Sequence, residues 1–566
     1  MPNNHPGQTR TIPPSPNGII RDVTEKYLKT LTPNTGTFSL LSTVEHDLIN
    51  RTQDEISAQN KLRDKTRQIR QSQTLSASQI ASIINYLYPC RNIPGAGGES
   101  SDTSYDLLAI YQTEGYGMGT YTISETYFHK LVRILNREAD SKFRNEAIEH
   151  LRLIAPRKAR CRDRDLIAVN NGIFNYKTKQ LMPFTHEKVF LSKSRVNYNY
   201  HARNVIIQNA DDGSLWDIES WLLDLMNNDP ELANLVWEIL GAIIRPNVRW
   251  DKSAWFYSET GSNGKGTLCE LMRQLCGEGT YACIPVSDFA KEFLLEPLLY
   301  ASAIIVDEND VGTYIDKAAN LKAVITNDTL QINRKFKIPI AYQFYGFMVQ
   351  CLNEFPKLKD KSDSIYRRQL FIPMTRCFTG KERKYIKNDY LHREDVLEYV
   401  MYKVLNTNYY SLSEPKACRA VLDEYKEHND PVRRFFDEIG PRLQWDLVPF
   451  SFLYDLYKSW HKQNNPSGSP QGSHTFTHEL RNIIKSSNEW YCKDRKHRER
   501  HNGRMSKAEP LIAEYDLLKW YTPGYKGADP YKHCNPKLGE KYEGIYRRAN
   551  SQSANAQTAS PQSDDD

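Results

Sequence analysis

Residues 260–268 read TGSNGKGTL, with Gly261, Gly264 and Gly266 set around Lys265. Glycines let backbone N–H groups turn inward around a phosphate chain, and a lysine adds positive charge at its oxygens. The stretch follows a β-prone run, SAWFYS (253–258), and precedes TLCELMRQLCG (267–277), whose apolar residues fall at helical spacing. Strand, glycine loop and helix in that order form the setting in which such a loop cradles phosphate. The spelling departs from GxxxxGK[ST]. Glu259 takes the first glycine position, Gly266 stands where a Mg²⁺-binding hydroxyl belongs, and Thr267 supplies a hydroxyl one residue late. The plainer alternative is a glycine-rich turn with an exposed lysine.

Downstream, ASAIIVDEND (301–310) is an apolar run that ends in Asp307 and Glu308. Phosphoryl transfer to water needs a held Mg²⁺ and an oriented water; Asp307 suits the metal shell and Glu308 the base. A strand that leaves the core through acidic residues is the bland reading. YGFMVQCLNEFP (345–356) ends its apolar run at Asn353, which suits a γ-phosphate or an attacking water without adding charge, or else simply begins a turn. SIYRRQLFIP (364–373) brings Arg367 and Arg368 to a strand start, as a solvated edge or as a finger reaching a neighbouring subunit's nucleotide. Strands alternating with helical segments predict a mainly parallel sheet covered by helices.

The order ETGSNGKGT, ASAIIVDEND, NEFP and YRRQLFIP resembles that of the superfamily 3 helicases of the AAA+ class, found in viruses, phages, plasmids and mobile elements. DLIAVNNGIFNYKTKQLMPF (165–184) followed by NYNYHA (197–202) is similar to the module preceding the ATPase in the branch of the poxvirus primase-helicase and satellite-phage replication proteins. The resemblance spans roughly residues 105–380. It implies an ATP- and Mg²⁺-dependent hexameric ring that moves 3′→5′ on single-stranded DNA and unwinds forked duplex. It matches Gly261, Asn263, Gly264, Lys265, Gly266 and Thr267 to the nucleotide loop, with Thr267 and Asp307 toward the metal. Asp307 and Glu308 match the acidic motif and Asn353 the sensor. Arg368, or its neighbour Arg367, matches the finger. The family's channel hairpin falls in TNDTLQINRKFKIPIAYQFYGF (326–347), where Arg334, Lys335 and Lys337 flank Phe336. Cations for phosphates and a ring for a base suit a single strand; a charged hairpin facing outward is the alternative.

Two further basic stretches stand out: PRKARCRDRD (156–165), and residues 481–507 with a local net charge of +6. The second, a helix followed by a basic hairpin, is compatible with a winged-helix-like DNA-binding domain. Cys492, His497 and His501, with His533 and Cys534 beyond, fit no standard zinc spacing. The carboxylates of residues 1–100 are scattered among helical charges, and DTSYD (102–106) falls in the helical region before the ATPase, so primase activity is not expected.

The whole chain has 566 residues, a net charge of +6 and ten scattered cysteines without a CxxC pair. No apolar run approaches the ~18–20 residues of a membrane span, and MPNNHPGQTRTIPPSPNG lacks a signal-peptide core. A cytoplasmic protein, in a bacterium or host-cell interior, is expected. The expected fold is α/β: an AAA+ P-loop ATPase core, a helical N-terminal and collar region, and a C-terminal winged-helix-like domain. The expected segments are a flexible tail (1–18), a helical region (19–94), a pre-ATPase module (95–214) whose residues 105–155 read as helices, the motor (215–395), the C-terminal domain (396–545) and a disordered tail (546–566). An ATP-dependent replication initiator binding an origin, and a P-loop motor of another kind such as a packaging ATPase or remodeller, are the alternative functions.

Overall fold

The computed structural model describes residues 15–96, 105–360, 362–464, 469–485, 487–493, 498–534 and 538–548. Residues 1–14 and 549–566 of the tails expected at 1–18 and 546–566, with Asp102 and His497, lie outside them. The chain divides into two compact units at residue 422.

The first unit begins with a helix, Pro16–Leu28, inside the segment expected to be tail. Ser15 caps it and Pro16 opens it, a pairing that favours helix start. Helices Phe38–Lys61, Ala77–Leu87, Glu125–Leu135 and Ser141–Ile154 bury Leu41, Val44, Leu48, Ile80, Ile84, Leu131 and Leu151 in one core. Ser76 and Gln79 form a reciprocal capping box on Ala77–Leu87. Two corrections follow. Leu107–Tyr111, expected as helix, is a strand pairing antiparallel with Cys90–Ile93 and with Tyr121–Thr122; a short apolar run has no decisive period, and its sheet partners decide it. The expected boundary at 94/95 therefore cuts one sheet. Leu166–Val169 and Gly172–Asn175 form the hairpin expected around Asn171-Gly172, with Gln180–Met182 as its third strand.

The loop of TGSNGKGTL sits on a five-stranded parallel sheet. Its order is Tyr281–Ala282, Ala303–Val306, Phe347–Leu352, Ser253–Tyr257, Gln369–Pro373. The loop strand is thus internal, flanked by the strand leading to Asn353 and by the strand after the arginine pair. All five residues of Ser253–Tyr257 are buried, as a parallel sheet covered on both faces requires. Helices Pro230–Ile244, Lys265–Cys276 and Glu394–Asn406 share one core with Ala254, Phe256, Ile305, Val349 and Ile372. Glu394–Asn406 contributes Val396, Val400 and Val404 to that core, so the core around the parallel sheet runs past the expected boundary at 395.

In the second unit, helices Pro431–Ile439, Phe450–Asn464 and Ser473–Lys485 pack on an antiparallel sheet ordered Leu447–Pro449, Gly544–Arg547, Trp490–Cys492. Tyr546 and Arg547, expected in the disordered tail, lie in its central strand. Gly544 is needed there because a Cβ would stand 2.1 Å from the Val448 carbonyl oxygen. Among the described residues no helix is long and apolar enough to cross a membrane, and the described cysteines are free thiols.

Glu509 is fully buried in this unit. One carboxyl oxygen accepts the Gln444 N–H at 2.7 Å and the other has no partner. Burial pushes the carboxyl up to about 7, against the opposing pull of backbone N–H groups. The folded unit therefore holds a proton that the unfolded chain releases in the ordinary carboxylate range. Its stabilising contribution is full below that range, falls as pH rises toward about 7, and is flat above. We expect Glu509→Gln to stabilise this unit near pH 8 by up to about 3 kcal/mol and to flatten its acid-to-neutral profile. Hydrogen exchange of residues 444–515 against pH reads this; coincident profiles for the two proteins would refute it.

Candidate functional site

The parallel register brings three strand ends to one edge. Tyr257 leads into the loop and Leu352, its partner in register, into Asn353; Val306, paired with Gln350, leads into Asp307 and Glu308. The Ser258 N–H donates to the Leu352 carbonyl at 3.2 Å and ties the loop's first residue to the asparagine strand. The expected lysine, carboxylate pair and asparagine are therefore neighbours in space as well as ordered in sequence.

Gly264 holds the loop's exit in the left-handed region (φ 82°), where a Cβ would also stand 2.4 Å from Leu225 Cδ1. Gly261 faces open space, and a Cβ at Gly266 would meet only Lys387 Nζ at 3.8 Å. Asn263 is buried and its side-chain amide donates to the Thr260 carbonyl, closing the loop on itself. Helix Lys265–Cys276 starts at the lysine, so its free N–H groups and dipole point at the loop. Lys265 is 7% exposed, and its Nζ is buried with no hydrogen-bond partner. Burial holds this ammonium below its ordinary range, only partly opposed by Cys351, Cys269 and Glu308. A buried cation without a counter-charge is costly, and an anion of phosphate type fits that position.

Asp307 and Glu308 differ in restraint. Asp307 Oδ1 lies 2.9 Å from Arg273 Nη2 on the loop's own helix. Burial raises its carboxyl, but the Arg273 guanidinium outweighs this and holds it below its ordinary value. Glu308 is exposed. Asn309, next in line, is buried and braces the strand end: its amide donates to Gln350 Oε1 (2.9 Å) and to the Cys351 carbonyl (3.0 Å). Asn353 is exposed. Thr267 lines a cavity of about 490 Å³ beside the loop, and no described contact joins it to Asp307. That cavity is walled by Trp221, Leu225, Phe378 and Ile386, with Arg376 and Lys387 at its polar side. The Phe378 N–H donates to the Ser262 carbonyl at 2.8 Å and fastens this wall to the loop.

Arg368 donates to Ser364 Oγ at 2.8 Å and is tied to its own short helix, whereas Arg367 is exposed. The expected hairpin is present as Thr329–Arg334 and Lys337–Gln343. Phe336 occupies its tip at φ 59° and is 95% exposed, with Lys335 Nζ 5.3 Å from its ring centre. Arg334 is used to brace the turn, donating to the Ile338 carbonyl. Lys337 pairs with Glu125 of the N-terminal module at 2.8 Å. The same hairpin is held at its base by the Ala96 N–H, which donates to the Ala341 carbonyl (2.9 Å), and by Arg160, which hydrogen-bonds Tyr342 and lies over Tyr345.

Arg160 belongs to PRKARCRDRD, and every cation there is engaged. Arg157 pairs with buried Asp106 (2.7 Å), Lys158 pairs with Glu187, and Arg162 and Arg164 lie over Tyr345 and Tyr410. That stretch is a structural seam of the first unit. The 481–507 stretch is also partly neutralised, by Arg481–Glu543, Lys493–Glu499 and Arg500–Glu540 pairs. Of the imagined zinc ligands, Cys534 is in the apolar core and His533 Nε2 lies 2.8 Å from the Gly527 carbonyl; the described residues contain no metal-binding cluster.

Sequence reading missed Arg273, Asn309 and the cavity wall. Nothing in spacing marks the first two. The third had a signal in RCFTGKERKYIKN (376–388), an aromatic among cations just past the last strand.

Three family models match the chain. D5 N terminal like covers residues 19–227, and a family of unknown function, DUF5906, covers 256–368. Poxvirus D5 protein-like covers 427–515. Two of the three models are D5-like, so the chain is similar to D5-like proteins, the primase-helicase kind of phage and poxvirus type, over residues 19–227 and 427–515. Comparison with curated proteins gives no match. Among solved structures, the A form apo structure of the NrS-1 C terminal region is similar at 12% identity and a TM-score of 0.39, over 79% of this chain and 95% of that one. The apo structure of NrS-1 C terminal region (305-718) is similar at 12% identity and 0.40, over 81% and 96%. At those TM-scores the likeness carries no argument for this chain.

Proposed function

We propose that the chain is an ATP-driven DNA helicase that works as a homo-hexameric ring on an AAA+ core, moves 3′→5′ on single-stranded DNA and opens forked duplex during replication. The observation that carries this reading is the meeting of a buried unpaired lysine, a carboxylate pair and an asparagine at one sheet edge, in a chain that also projects a Lys-Phe tip. Loop N–H groups and Lys265 hold the β- and γ-phosphates of ATP, and the cavity of Trp221, Leu225 and Phe378 takes the base. Asp307, kept ionised by Arg273, and Thr267, the hydroxyl one residue past the usual position, would hold Mg²⁺. Mg²⁺, when bound, neutralises charge developing on the phosphates. Glu308 is free to orient water, Asn353 stands beside it, and Arg367 is the arginine of its pair available to a neighbouring subunit.

Lys335 and Phe336 are the hairpin residues without a structural task, and they grip DNA: the cation at a phosphate, the ring under a base, at about 1–3 kcal/mol per stacked base. We expect Lys335→Ala/Phe336→Ala to lower unwinding of a 3′-tailed duplex by about tenfold or more, with DNA-free ATP turnover unchanged. Unwinding at the wild-type rate, or of a 5′-tailed duplex alone, would sink the hairpin or the polarity assignment.

An initiator role has its own support. The second unit's three helices and three-stranded sheet suit a winged-helix-like domain, and Ser473–Lys485 exposes His474, His478, Asn482 and Lys485 along one helix. Protection of one specific sequence without processive unwinding would favour that reading.

A further inference from the structure

Helix Glu125–Leu135 buries Phe128, Leu131, Val132 and Leu135 in the N-terminal core. Its opposite side carries Lys130 and Arg133, and Arg137 follows two residues past its end. The next helix adds Arg144. These four cations, with the hydroxyls of Ser42 and Thr126, line a groove of about 630 Å³ whose walls contain no carboxylate.

The cations are positioned and unneutralised. Lys130 Nζ sits 4.1 Å from the centre of the Phe38 ring. Arg144 donates to the Ala139 carbonyl (2.8 Å) and to Ser141 Oγ (3.2 Å), which fixes its guanidinium, while its Nε is buried without a partner. Arg137 is near enough to Glu45 for their charges to interact. Yet among the described residues none of the four comes within 4.0 Å of a carboxylate. Elsewhere in this unit cations are matched, as Arg157 is by Asp106 and Lys322 by Asp360. Here charges of one sign have been gathered with donors only.

We propose that this groove binds the phosphodiester backbone of a nucleic acid strand, at a site separate from the hairpin tip. Three of the four cations are arginines, whose planar forks match phosphate oxygens in pairs, and the two hydroxyls add neutral donors. Lys130 and Arg133 lie about 4.5 Å apart along the helix axis, comparable with the ~3.4 Å of helix axis per charge on each DNA strand.

The test uses the full chain without nucleotide, so it is independent of whether the motor turns over. Binding of a labelled single strand and of its duplex is followed against salt for wild type, Arg133→Ala/Arg137→Ala and Arg133→Lys/Arg137→Lys. The alanine variant should weaken binding about tenfold or more near 0.1 M salt and flatten the slope of log K against log salt by about two. The lysine variant should restore the slope, which a merely structural role would not. Unchanged affinity and slope with both probes would overturn the proposal. So would a loss confined to binding of a polyglutamate peptide, which would assign the groove to an acidic protein.

Discussion

Lys265→Ala should abolish ATP turnover while leaving the ligand-free protein as stable as before or more so. The two halves of this expectation share one cause. Lys265 Nζ is buried, hydrogen-bonds nothing, and is held below its ordinary range mainly by burial. In the absence of an anion such a charge opposes folding, and a partnerless buried polar group typically costs about 1–3 kcal/mol. With a triphosphate in the loop the same ammonium meets the oxygens on which charge develops, where losing one preorganised donor slows reaction about 10²–10³-fold. Phosphate release and thermal melting, measured together, check both. Turnover within about tenfold of wild type would remove the loop from the mechanism. A large fall in melting temperature would show that the lysine serves the fold instead. Mixing this variant with Arg367→Ala subunits extends the test. Each carries what the other lacks, so mixed rings regain turnover only if the arginine acts across the interface.

Glu308→Gln should bind ATP normally and hydrolyse it about 10²–10⁴ times more slowly. The neighbouring carboxylates invite confusion of their roles, and restraint separates them. Asp307 is clamped by Arg273 and kept ionised, as a metal-facing group needs. Glu308 is exposed and unclamped, so it can turn to a water. The amide keeps the shape and removes the base. Nucleotide protection against thermal unfolding reads binding, and single-turnover hydrolysis reads chemistry. Normal hydrolysis by Glu308→Gln, with Asp307→Asn inactive, would reverse the assignment.

Much of the parallel sheet and its loop was legible because the residues obey a local rule. The apolar runs ending in Asp307 and Asn353, and the glycine loop between strand and helix, each state their own geometry. The hairpin was placed by the family resemblance and not by a local rule, and its two strands, Thr329–Arg334 and Lys337–Gln343, lie within that segment. What escaped depends on partners distant in sequence. Leu107–Tyr111 is a strand because Cys90–Ile93 lies beside it. Tyr546 and Arg547 are ordered because two strands some fifty and a hundred residues earlier flank them. Arg273 matters only because the sheet brings Asp307 to it, and Asn309 only because Gln350 is across the way. Charge misled in the opposite direction. PRKARCRDRD suits either a DNA-lining patch or a solvated turn, yet its cations are consumed by Asp106, Glu187 and three tyrosines, while the unneutralised cations lie on helix Glu125–Leu135, just past its end and on the helix that follows.

The anchoring of the hairpin bears on how force would leave this molecule. Lys337 to Glu125 near its tip, and Ala341 to Ala96 and Tyr342 to Arg160 at its base, fasten one lever arm to the N-terminal module. Such an arm has no independent travel. Either the module rides with it, so that each step hauls a body of helices along with the strand, or the step begins by unfastening an ion pair, a backbone hydrogen bond and an arginine–tyrosine contact in sequence. In the first case the load on the glycine loop would be the drag of the whole body, shared across its fasteners. In the second the fasteners act as a ratchet's detents, and Glu125 sets the stiffness of the first.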